Sequence, residues 1–110
     1  MQTQIPEQKK TIEIQKITED GVTVLNLKGW LVSGTAPDLE DAINAVLDED
    51  NKLILDFSGI VFMASSGIRT LLIASKRVNQ ANGLLILRNV SPDVMKVLEM
   101  TGLNNFLDIR

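Results

Sequence analysis

The chain has 110 residues, 45% of them apolar and 23% charged, with a net charge of −3, which suits one globular domain able to bury its own core. With no cysteine and no histidine, it has no disulfide framework or thiolate metal site, and it lacks the commonest general acid and base near neutral pH. One Trp, three Phe and no Tyr beside an acidic balance argue against nucleic acid, whose binders carry a basic excess and aromatic platforms.

The opening stretch MQTQIPEQKKTIEI has no apolar targeting segment, and no run approaches the roughly 18 apolar residues of a membrane span. The expectation is a cytoplasmic protein that is not an enzyme and engages neither membrane nor nucleic acid. Residues 1–10 read as a tail. In TIEIQKI (11–17), Ile12 and Ile14 alternate with polar residues as in a half-buried strand. Asp20-Gly21 marks a hairpin turn, and VTVLNLKG (22–29) returns as a strand apolar on both faces.

After the loop Gly29–Gly34, Leu39, Ala42, Ile43, Val46 and Leu47 recur at helical spacing, predicting a helix over 36–48. Thr35 is its expected cap, with Asp38 three residues on as a short capping box. The acidic run Asp48-Glu49-Asp50 reads as a solvated helix end rather than a metal site. KLILDF (52–57) is the continuous apolar strand of a parallel sheet, Ser58–Ala64 a loop, and 66–80 a helix. GLLILRNV (83–90) is a further buried strand. Ser91 and Pro92 then open a helix over 92–101 that Gly102 ends. LNNFLDIR closes the chain as a short helical turn. The order β-β-α-β-α-β-α predicts a single α/β domain over 1–110. Its mixed β-sheet of four or five strands has an antiparallel N-terminal hairpin, parallel central strands and helices packed on the sheet.

In open α/β sheets the working loops lie beyond the carboxyl ends of the parallel strands. That edge gathers Trp30, Val32, Ser33, Ser65 and Ser66. A serine at a helix start is worth about 1 kcal/mol as a cap. A pair of them followed by Gly67 also suits a modification site, because glycine admits a close neighbour and a helix N-terminus favours a phosphate. Both readings stand. On the helix that follows, Ile68, Leu71, Leu72, Ser75 and Val78 share the arc expected to face the sheet, and Arg69, Lys76, Arg77 and Gln80 the opposite one. Ile73 falls among these cations, either as a lone surface residue or as the apolar centre of a charged-rimmed patch. Trp30 either covers the sheet edge or anchors a partner.

Three stretches resemble a known family over nearly the whole chain: LKGWLVSGTAPDL (27–39), LILDFSGIVFMASSGIRTLL (53–72) and SPDVMKVLEMTGL (91–103). They are similar to the STAS domain of bacterial anti-sigma-factor antagonists. The resemblance implies a STAS-like mixed sheet and a partner-switching regulator of transcription. Such a regulator binds an anti-sigma factor with serine kinase activity, which phosphorylates the first serine of the S-S-G and so ends the binding. That serine is Ser65. Around it, Trp30, Val32, Ser33, Ser66, Gly67, Arg69 and Ile73 form the expected partner surface. No cofactor or metal is implied, and the expected state is a monomer or weak homodimer. The chain departs from the family at Ala64 and Val32, where acids are common, and at Trp30, where glutamate is frequent. Ala64 and Val32 favour the alternative of an unphosphorylated STAS scaffold or transporter-associated module, whereas Trp30 makes the surface more apolar. For a nucleotide site, no G-x-x-x-x-G-K pattern is present.

Overall fold

The computed structural model describes residues 10–110, so the expected tail lies outside the described residues except for Lys10. β1 (Ile12–Glu19) and β2 (Val22–Leu31) form the antiparallel hairpin. Asp20 (φ 51°) and Gly21 (φ 81°) both take the left-handed conformation that a two-residue turn needs to match the twist of its strands. α1 (Ala36–Leu47), β3 (Lys52–Met63), α2 (Ser65–Gln80), β4 (Leu84–Arg88) and α3 (Pro92–Thr101) follow, then a 3₁₀ turn (Leu103–Asn105) and β5 (Asp108–Ile109). The strands stand side by side in chain order, and β2 through β5 are parallel.

Each βαβ crossover steps one strand in the same direction, so right-handed connections put all three helices on one face. The side chains agree. Leu25, Leu55 and Leu87 lie in register across the sheet. They join Leu27, Leu53 and Phe57 in one core with Leu39 and Ile43 of α1, Leu71 and Val78 of α2, and Val94 and Leu98 of α3. α3 begins as expected: the Ser91 hydroxyl accepts from the Val94 N–H at 3.2 Å, and Gly102 closes the helix.

Four expectations need correction. β3 does not stop at Phe57: the segment expected as the loop Ser58–Ala64 is strand to Met63, paired with the end of β2 through two register slips. β2 likewise runs on to Leu31. The C-terminal helical turn is followed by β5, two residues that pair with β4. Thr35 makes no capping bond. Its hydroxyl, buried, donates to the Trp30 carbonyl at 2.6 Å and accepts from the Val32 N–H at 3.0 Å. Thr35 thus ties the β2–α1 loop shut instead of capping α1.

On the face opposite the helices lie Val24, Ile54 and Ile86, in register. Here Arg88 of β4 donates to Asp56 (2.9 Å) and reaches Glu19 at the far end of β1 (2.7 and 3.1 Å). Asp56 also accepts from the Ser58 N–H and the Asn89 amide. The guanidinium therefore bridges strands separated by two others, over the face that holds the fully buried Val24. Burial pushes the Asp56 carboxyl up, but its bonds from Ser58, Arg88 and Asn89 outweigh this and hold it below the ordinary value. The Arg88 hydrogen bond lowers Glu19.

Carboxyls depressed in the folded state contribute stability that is complete above their unfolded pKa and lost as pH falls through the folded one. The chain has no histidine and no cysteine, the side chains whose ordinary pKa lies nearest neutral pH. The urea midpoint is expected to be flat between pH 6 and 8 and to fall below about pH 4. A midpoint that shifts between pH 6 and 8 would contradict this.

Candidate functional site

The site is built where β2 and β3 end side by side. Leu31 pairs with Met63, and the Ala64 N–H donates to the Leu31 carbonyl at 2.8 Å, so the start of α2 is pinned to the end of β2. Ala64, with extended backbone (φ −95°, ψ 178°), is the N-cap residue, and no side chain caps the helix. This corrects the expectation that α2 begins at Ser66 with a serine cap. Ser65 and Ser66 are the first two helical residues, and the turn closes through Gly67 N–H to the Ala64 carbonyl at 2.9 Å.

The two hydroxyls have different surroundings. Ser65 is exposed. Ser66 Oγ is buried and has no hydrogen-bond partner among the described residues. Because α2 has no acidic residue in its first turn, the positive end of its dipole is not offset by a local carboxylate. Gly67 is buried, and a Cβ at this position would run into the Leu31 and Met63 side chains, so it sets how closely α2 sits on the sheet rather than offering surface.

Between the first turns of α1 and α2 lies an open cavity of about 230 Å³. Ser33, Ala36, Pro37 and Glu40 form one wall, and Ser66, Arg69, Thr70 and Ile73 the other. Ile73 is 42% exposed. Of the expected partner residues the fold thus gathers Ser33, Ser66, Arg69 and Ile73. Ser65 and the half-buried Val32 immediately precede Ser66 and Ser33 without lining the cavity. Trp30 is not part of this group. Its ring packs against Phe62 (centroids 5.8 Å apart, tilted 48°) with the Lys10 ammonium 5.2 Å from its centroid. Trp30 is therefore braced on the neighbouring strand end by aromatic and cation–π contacts.

Chemically, the cavity offers hydroxyls, one guanidinium, one carboxylate and apolar walls. Among the described residues no group of three His, Cys, Asp or Glu side chains could hold a metal ion, and no helix is long and apolar enough to cross a membrane.

Residues 13–110 match the STAS domain family. The chain belongs to the STAS domain family. BtrV of Bordetella bronchiseptica, assigned as an anti-sigma factor antagonist, is 31% identical over 84 residues, spanning 76% of this chain and 72% of that protein. The crystal structure of an anti-sigma factor antagonist from Mycobacterium paratuberculosis aligns with a TM-score of 0.79 at 28% identity, covering 89% of this chain and 84% of that one. The Bacillus cell fate determinant SpoIIAA, solved in its phosphorylated form, shares the fold: TM-score 0.68, 24% identity, 90% of each chain covered.

Two residues of this STAS domain went unnoticed in the sequence: Val61 and Phe62, 66% and 48% exposed at the end of β3. The apolar run Ile60–Met63 was their signal, hidden by the turn chemistry of Ser58-Gly59 just before it.

Proposed function

We propose that this STAS domain is a cytoplasmic partner-switching regulator of transcription. It binds an anti-sigma factor with serine kinase activity through the surface around Ser65, and phosphate on Ser65 ends the complex. The domain acts as a single unit, monomeric or weakly dimeric, without cofactor or metal. The observation that carries the reading is the pairing of an exposed Ser65 hydroxyl at an uncapped helix start with the cavity of Ser33, Ser66, Arg69 and Ile73 beside it. The anti-sigma factor antagonists among its relatives support the choice of partner.

Phosphate at Ser65 meets a helix start that favours negative charge, with Arg69 one turn further on, so the free domain accepts it. In the complex the same dianion is pressed against an apolar-walled interface, where an unpaired charge is costly. Ala64 and Val32 in place of the family's acids favour a second reading, a STAS scaffold or transporter-associated module that is never phosphorylated.

Mixing the domain with its anti-sigma factor separates the two. On the first reading the complex forms without ATP and dissociates when ATP is added; a complex indifferent to ATP supports the second. Within the first reading, Ile73→Glu is expected to weaken the complex by about tenfold, or roughly 1.4 kcal/mol, while the melting temperature stays put because Ile73 is already exposed. Unchanged affinity in calorimetry would remove Ile73 from the interface.

A further inference from the structure

A second cavity opens on the other side of Ser65. β4 pairs with β3 only from Lys52 to Asp56, so from Phe57 to Met63 the β4-side edge of β3 has no described strand beside it. Along this edge Val61, Phe62 and Met63 face Asp93, Val94 and Val97 of α3 across a cavity of about 220 Å³. The second register slip leaves Val61 without a counterpart in β2. Its side chain is turned outward and is 66% exposed. Backbone groups are available here too. The Ala64 N–H points to β2, where it meets the Leu31 carbonyl, so the N–H of Met63, one residue earlier, points to the open side.

A groove walled by a free strand edge and a helix suits an extended peptide. The edge supplies a ladder of main-chain bonds, and alternate side chains of the added strand enter the groove. The lining is apolar apart from Asp93, which selects an apolar segment with one cation.

We propose that this groove takes an extended, apolar segment of the protein partner, added as a strand along the free edge of β3 with a basic side chain against Asp93. The inference rests on the partner-binding reading of Ser65. Met63 lies two residues before Ser65, and Asp93 is in the first turn of α3 on the same edge of the sheet, so a partner seated on Ser65 reaches the groove without a second docking event. The two cavities then flank the switch residue, and one partner grips the domain on both sides of it.

The test uses the full chain and its anti-sigma factor, with titration calorimetry and amide hydrogen exchange on the complex. Val61→Arg places a long cation across the groove towards Asp93. It is expected to weaken the complex at least 30-fold while the melting temperature holds, since Val61 is exposed. Val61→Thr, of the same shape, keeps affinity within about fivefold, and the Met63 amide exchanges at least tenfold more slowly in the complex. The inference is overturned if Val61→Arg binds like the parent and the Met63 amide is unprotected while Ser65→Asp still weakens binding about 30-fold or more; the Ser65 reading then survives without the groove. If Ser65→Asp also leaves binding intact, both fall. Sedimentation of the free chain at twice its mass, reversed by Val61→Arg, would assign the groove to a second copy and overturn the proposal as well.

Discussion

Ser65→Asp is expected to leave the domain folded and to weaken its complex with the anti-sigma factor by about 30-fold or more, roughly 2 kcal/mol. The two halves of this result have separate causes. In the free chain, position 65 is the first residue of α2, exposed, with no acidic side chain in the first turn. A carboxylate there interacts favourably with the helix dipole, by about 0.3–1 kcal/mol, so the melting temperature should hold or rise by a few degrees. In the complex that carboxylate is carried into the surface that includes Ile73 and the buried Ser66 hydroxyl, where it loses water and finds only Arg69 within a turn. Ser65→Ala removes an exposed hydroxyl that caps nothing, so it should fold and bind without being switched. Thermal melts and calorimetry on both variants check this. Loss of binding by Ser65→Asp together with a lower melting temperature would point to a structural role for the serine instead.

Gly67→Val should have the largest effect on stability among changes at the site. A Cβ on Gly67 would lie 2.7 Å from Leu31 Cγ, 2.7 Å from Met63 Cγ and 2.8 Å from Leu31 Cδ2. Leu31 and Met63 are buried at the ends of adjacent strands, so neither can swing into solvent to make room. Overpacking of this kind costs about 1–3 kcal/mol, and the branched side chain puts Gly67→Val at the upper end, about 3 kcal/mol. That corresponds to a drop of more than about 10 °C in a domain of this size. Gly67→Ala gains about 1 kcal/mol in helix propensity, which offsets part of its clash and leaves a loss of about 1 kcal/mol. Both should also displace the first turn of α2, and with it Ser65 and Ser66. An unchanged melting temperature for Gly67→Ala would mean that α2 does not rest on Leu31 and Met63.

Much of this was legible in the sequence, for physical reasons that differ by element. α1, α2 and α3 announce themselves because one face must be apolar to pack on the sheet; Leu39, Ile43 and Val46, or Leu71, Ala74 and Val78, are buried at the spacing a helix imposes. Asp20-Gly21 and Ser91-Pro92 are local chemistry, decided within a few residues. Long-range pairing is not local. Ser58-Gly59 reads as a turn, yet β2 supplies a partner that carries the strand through both slips to Met63. β5 is a strand only because β4 lies beside it.

The carboxyl edge was partly readable. Strand order places Ser33 and Ser65–Ser66 together, and helical spacing leaves Ile73 exposed. Hydroxyl partners were not readable. Thr35 has the right position for a cap, but its oxygen accepts from the Val32 N–H and its proton goes to the Trp30 carbonyl, and Ala64 takes the N-cap with its N–H held by the Leu31 carbonyl. Nor does anything local reveal that Arg88 meets Asp56 and Glu19, which lie 32 and 69 residues away in the chain.

The switch itself is tested most directly by mapping phosphate. The domain is incubated with its anti-sigma factor and ATP, digested, and the peptide containing Ala64–Arg69 is sequenced by mass spectrometry. Phosphate on Ser65, with Ser66 unmodified behind its buried hydroxyl, is the predicted result. Phosphate on Ser66 alone, or on neither serine while the complex persists in ATP, would contradict it.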